Sequence, residues 1–170
     1  MALLPYVQDD TESKAAQLLF EHCRSLLGRV SNAIRVAAHT PKVAQPLVGF
    51  MVSALRTEVS GVLEMRIKAL VILKTSMLNG CAYCIGHNSA LGRSLGFEED
   101  EIDEISKDFL SSDYFSPAEK AAIRWAECLT ERTYRKHPET MAQLKLYSVS
   151  YTHLRAHETR HDLVCRLLLE

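Results

Sequence analysis

Leu63-Glu64-Met65-Arg66-Ile67-Lys68-Ala69-Leu70-Val71-Ile72-Leu73-Lys74-Thr75-Ser76-Met77-Leu78-Asn79-Gly80-Cys81-Ala82-Tyr83-Cys84-Ile85-Gly86-His87-Asn88 is the stretch on which the reading of the fold turns. Leu63, Ile67, Leu70, Val71, Met77 and Leu78 recur at i, i+4, i+7, i+8, i+14 and i+15, the spacing of one helix face. Ala69, Ile72 and Leu73 fill the opposite side, so this helix is expected to be buried nearly all round. Asn79-Gly80 then turns the chain. Cys81 falls at or just before the start of a second helix, expected to run to about Leu95.

Outward from this break, the punctuation remains helical. Thr40-Pro41 reads as a cap followed by proline at the first helical position. Gly96 stops a helix, and Glu98-Glu99-Asp100-Glu101 load the first turn of the next with negative charge, which the helix dipole favours. Ser116-Pro117-Ala118-Glu119 is a capping box, followed at helical spacing by Ala121, Ala122, Ile123, Trp125, Ala126 and Leu129. No repeat, linker or hairpin signal interrupts the pattern. The expected fold is all-α: one helical domain over residues 1–147, with about seven or eight helices.

The composition agrees. The 170 residues are 47% hydrophobic and 24% charged, enough apolar content for a core without staples. Twenty basic against 21 acidic side chains leave a net charge of −1, with no electrostatic footprint for nucleic acid or an anionic membrane. No apolar run nears the roughly 18 residues of a membrane span, and the N-terminus lacks the pattern of a signal peptide. A cytoplasmic protein is expected, and five cysteines are then too few for a disulfide scaffold.

The last segment stands apart. Val149 to Glu158 and Leu163 to Leu169 resemble the translation of a transposon-type sequencing adapter, with Thr159 to Asp162 in its variable index. Residues 148–170 are therefore expected to be a non-native tail, and the natural gene to continue past Tyr147 into another amphipathic helix. The tail holds His157-Glu158-Thr159-Arg160-His161, a formal match to the H-E-x-x-H zinc-protease pattern. That motif needs a long helix and a third ligand, and so little chain follows His161 that the metalloprotease reading is set aside.

The chemistry is expected at the helix break. Unpaired N–H groups at a helix start favour thiolate over thiol, and a Cys-x-x-Cys pair there can have a thiol pKa well below the usual value of about 8.5. Cys81 and Cys84, three residues apart, place their sulfurs on one face within reach of a small disulfide ring. His87, near the same face, is a candidate to take the Cys84 proton. Two other readings stand beside this one. A structural zinc site would need four ligands, of which Cys81, Cys84 and His87 supply three. Alternatively, the two cysteines are inert core residues.

Elsewhere, Cys23 and Cys128 sit in apolar helical patterns and read as core thiols. His22, His39 and His137 show no ligand spacing, and the mixed charges from Glu127 to Lys136 read as a solvated face. Tyr83 is a candidate to shield the disulfide or line an entry to it.

The combination of motifs resembles a known family. Gly28-Arg29-Val30-Ser31-Asn32 with Arg35-Val36-Ala37-Ala38-His39-Thr40-Pro41, then Arg66-Ile67-Lys68, Leu70-Val71 and Leu78-Asn79-Gly80-Cys81-Ala82-Tyr83-Cys84, and later Phe115 to Glu127, are similar to the alkylhydroperoxidase AhpD-like branch of the carboxymuconolactone decarboxylase family. The likeness spans about Leu4 to Tyr147.

The resemblance implies an all-helical, trimeric or hexameric thiol peroxidase without a bound cofactor or metal. In it Cys84 attacks the hydroperoxide, Cys81 resolves the sulfenic acid as a disulfide, and an external lipoyl or thioredoxin-like dithiol reduces the pair again. The characterised peroxidases carry a relay glutamate where this chain has Ala69, and a histidine where it has Asn88, with His87 one position earlier. Glu64, the nearest spare carboxylate, lies about 140° around the helix from Ala69. A redox-responsive module without turnover, or a non-peroxidase (lactone decarboxylase-like) enzyme on the same fold, are the competing functions.

Overall fold

A computed structural model describes residues 3–55 and 63–147, so the expectations for the tail lie outside the described residues. Eight helices and no strand occur among them, as the periodicity predicts: α1 Lys14–Leu27, α2 Asn32–Ala37, α3 Pro41–Leu55, α4 Met65–Leu78, α5 Ala82–Ser94, α6 Glu99–Ser106, α7 Pro117–Thr130 and α8 Pro138–Tyr147. None of these helices is long and apolar enough to cross a membrane. The helices gather into two compact units, α1 to α3 and α4 to α8.

In the first unit Ser13 caps α1 by accepting the Ala16 N–H, and Gly28 closes that helix in the left-handed conformation. Leu19, Phe20 and Cys23 from α1 meet Ile34 and Ala38 from the α2 region and Ala44, Val48 and Val52 from α3. Cys23 is fully buried, and burial pushes its thiol pKa up, so it is the core thiol that its pattern predicts. Asp9 gathers Arg24 and Arg35, and His39 Nε2 hydrogen-bonds the Pro5 carbonyl at 2.8 Å, a junction contact.

In the second unit α4 is the central element, packed on α5, α6 and α7. That position explains its unbroken burial from Lys68 to Val71 and from Leu73 to Ser76. One side of α4 sends Ala69, Leu70 and Leu73 against Phe97, Ile102, Ile105, Phe109, Phe115 and Ile123. Another sends Val71 against Ala122, Trp125, Ala126, Leu129 and Leu144 of α7 and α8. Leu70, Leu73 and Ile123 are essentially fully buried, each contributing about 1.5–3 kcal/mol.

Charges buried beside this core pin the helices. At the start of α4, Arg66 donates through Nε to Glu119 at 2.6 Å and through Nη2 to Glu101, while its guanidinium lies 4.8 Å from the Phe97 ring centroid. Near the end of α4, the Lys74 ammonium pairs with Glu127 at 3.0 Å, donates to the Ile105 carbonyl at 3.1 Å and sits 4.6 Å from the Phe109 ring centroid. The capping box forms as expected: Ser116 Oγ accepts the Glu119 N–H, and Glu119 Oε2 accepts the Ser116 N–H.

The solvated face expected from Glu127 onward is corrected at its first residue. The Glu127 carboxylate is only 15% exposed, because it lies between Lys74 and Arg124. A local run of mixed charge does not show that one member answers a cation 53 positions upstream.

Candidate functional site

The turn that carries the cysteines follows from the way α4 ends. Gly80 adopts φ +62°, a conformation in which a side chain is strained. Its N–H bonds the Met77 carbonyl at 3.0 Å and the Cys81 N–H bonds the Ser76 carbonyl at 3.2 Å, the paired closure of a left-handed helix stop. The residue delivered by this stop is Cys81, which is at once the N-cap of α5. Its backbone is extended (φ −83°, ψ 92°) and its sulfur accepts the Cys84 N–H at 3.3 Å. The expected break and restart of the helix are therefore found at the expected residues.

Cys81 and Cys84 are joined in a disulfide, with their Cα atoms 5.2 Å apart. Both residues are half-buried at the surface end of α5. No acidic side chain lies in the first turn of α5, so its N-terminal partial positive charge is not offset there. Among the described residues no group of three or more His, Cys, Asp or Glu side chains is arranged to hold a metal ion.

The remaining residues divide by helix face. His87 is exposed and stacks on Tyr83, one turn earlier, with ring centroids 6.2 Å apart and planes 14° apart. Tyr83 is half exposed, so the two rings form an aromatic surface next to the disulfide. Asn88 faces inward: it is 9% exposed and its Nδ2 donates to Ser76 Oγ at 3.0 Å. Ser76, fully buried, donates its own hydroxyl hydrogen bond to the Ile72 carbonyl at 2.7 Å.

Ser76 thus holds the site twice, its carbonyl receiving Cys81 and its hydroxyl receiving Asn88. Sequence reasoning missed this strut, because Thr75-Ser76 reads as two small residues in an apolar helix. The only available signal was Asn88 one turn beyond Cys84. Ala69 is fully buried on α4, and Glu64 is exposed at the N-cap of that helix.

The far end of α5 is built as the near end of the site is. Gly96 is left-handed at φ +90°, the Phe97 N–H reaches the Gly92 carbonyl at 3.0 Å, and the Phe97 ring folds back over Gly92. A Cβ on Gly92 would stand 2.7 Å from the ring, so only glycine fits under it. Cys128 is fully buried on α7, a core thiol as expected.

The family model described as the carboxymuconolactone decarboxylase family matches residues 41–127, just over half of the 170-residue chain. The uncharacterized protein YdfG of Bacillus subtilis (strain 168) is 30% identical over 74 residues, which cover 44% of this chain and 50% of that protein. The chain thus spans about half the length of this curated relative. No solved structure matches.

Proposed function

The chain belongs to the carboxymuconolactone decarboxylase family, and from that premise we propose that it is a thiol-dependent peroxidase that reduces hydroperoxides through Cys81 and Cys84. The observation that carries this reading is a disulfide-bonded cysteine pair at the first turn of a helix, half-exposed, with a backbone N–H directed at one sulfur. Such a pair suits a two-step reaction. One thiolate attacks the terminal oxygen of the hydroperoxide; an S–O bond forms, the O–O bond breaks, and the alkoxide takes a proton and leaves as alcohol. The second sulfur attacks the sulfenic acid, the disulfide closes and water leaves.

The family resemblance gives the first role to Cys84 and the second to Cys81, and the spacing of His87, three residues after Cys84, makes it the proton acceptor in this reading. A lipoyl or thioredoxin-like dithiol then reopens the pair. The Tyr83–His87 stack beside the disulfide offers such a partner an aromatic surface. A cytoplasmic trimer or hexamer belongs to the same reading.

The test is a time course on the fully reduced chain with one equivalent of cumene hydroperoxide, mapped by peptide mass spectrometry. The Cys81–Cys84 disulfide should form far faster than free glutathione is oxidised under the same conditions, and dihydrolipoamide should sustain turnover beyond one equivalent. Oxidation of the pair no faster than glutathione would end the peroxidase reading. Rapid closure that no dithiol can turn over would make the pair a redox-responsive module. The replacement of the relay residues by Ala69 and Asn88 favours that second reading.

A further inference from the structure

We propose that Ser76 and Asn88 are positioning residues for the cysteine pair: one bridge from α4 grips the chain on both sides of Cys84 and sets how strongly the pair favours the disulfide. This rests on the redox cycle proposed above and names the residues that tune it.

The head of α5 reaches the core late. Residues 81–87 are all exposed or half-buried, and Asn88 is the first buried residue of that helix. The sequence there is also weak in helix propensity. Gly86 lies in the second turn, where glycine is a poor helix former, and a Cβ on it would meet nothing within 4 Å, so no neighbour packs over that position.

Two tethers flank this segment, and both end on Ser76. Ahead of Cys84, the Cys81 N–H reaches the Ser76 carbonyl at 3.2 Å. Behind it, Asn88 Nδ2 donates to Ser76 Oγ at 3.0 Å, and that hydroxyl is itself fixed by donating to the Ile72 carbonyl at 2.7 Å. Ser76 is fully buried on α4, so its position is set by the core and not by the cysteines.

Closure of a disulfide is favoured when the two thiols are already held near each other, because less chain entropy remains to be lost. In the oxidised chain the Cys81–Cys84 bond itself holds the first turn of α5. In the reduced chain that task falls to the helix hydrogen bonds and the Ser76 bridge. Loss of the Asn88 tether therefore frees the reduced state more than the oxidised one, and the equilibrium moves toward the dithiol. Ordering the backbone of one residue changes such an equilibrium by roughly five- to thirtyfold. A bridge that shares the restraint with the helix should contribute about three- to tenfold.

The equilibrium is read without peroxide. The full chain, S76A, N88A and S76A/N88A are each equilibrated at neutral pH in glutathione buffers of graded ratio, and the dithiol fraction is measured by mass spectrometry after alkylation. Each reduction gives the protein disulfide two electrons and two protons, while two glutathione thiols become one glutathione disulfide. S76A and N88A should each be half-reduced at a ratio [GSH]²/[GSSG] about three- to tenfold lower than the unmodified chain, a rise of about 15–30 mV in potential. The double variant should shift no further than the larger single, because both changes remove the same bond. S116A, which removes the cap of α7 and no bond to α5, should leave the midpoint in place.

An unchanged midpoint in N88A, a shift toward the disulfide, or an equal shift in S116A would overturn the inference. N88A leaves the Ser76 hydroxyl bonded to Ile72, so it decides the matter if S76A does not fold. Slow oxidation of the pair by peroxide would end the peroxidase reading, and these midpoints would still decide the role of the bridge.

Discussion

Replacing Glu127 by Gln removes the counter-charge of an ammonium that is almost wholly enclosed, since the Lys74 side chain is 4% exposed. At the observed separation of 3.0 Å, the attraction lost is about 5.5 kcal/mol for an effective dielectric near 20. The Ile105 carbonyl and the Phe109 ring stay in place and soften the loss. E127Q should therefore be destabilised by about 3–4.5 kcal/mol, in the range found when one partner of a buried pair is removed.

In urea unfolding, with a slope near 2 kcal/mol per M, the midpoint should fall by about 1.5–2 M at pH 7. The double variant K74M/E127Q, which removes both charges and keeps the buried stem, should recover most of the loss. A single-variant loss under about 1 kcal/mol, or a double variant no more stable than the single, would refute the reasoning.

Two further outcomes follow from the same geometry. Ser76→Ala removes the acceptor of the buried Asn88 amide and should cost about 1–3 kcal/mol by urea unfolding, while the Cys81 N–H keeps its bond to the residue 76 carbonyl; a neutral result would mean that the strut carries no load. Acid should weaken the fold through Glu119 and Glu127. Burial pushes both carboxyls up, but Ser116 and Arg66 at Glu119, and Lys74 and Arg124 at Glu127, outweigh it and hold both below the ordinary 4.5. Their folded values are depressed, so their contribution is complete above about pH 5.5 and is lost as pH falls through and below 4.5. The urea midpoint should be flat from pH 7 to 5.5 and drop below 4.5, and a midpoint unchanged down to pH 3.5 would contradict this.

The sequence by itself determined the helices and the place where two of them part. Helix periodicity, a capping box and a glycine stop are local: each is settled by residues within a turn or two, so the all-helical fold, the Asn79-Gly80 break and Cys81 at the head of α5 could all be read in advance. The disulfide pair was legible for the same reason, since three residues of helix fix the spacing of its sulfurs.

Tertiary structure decided which polar groups meet. Lys74 and Glu127 are 53 positions apart, Arg66 and Glu119 are equally distant, and nothing in either local pattern indicates its partner. It also decided that Asn88 turns inward to Ser76 while His87, one position earlier, lies exposed on Tyr83. One residue along a helix is a rotation of about 100°, and only the packing of α5 on α4 determines which of two neighbours is rotated into the protein.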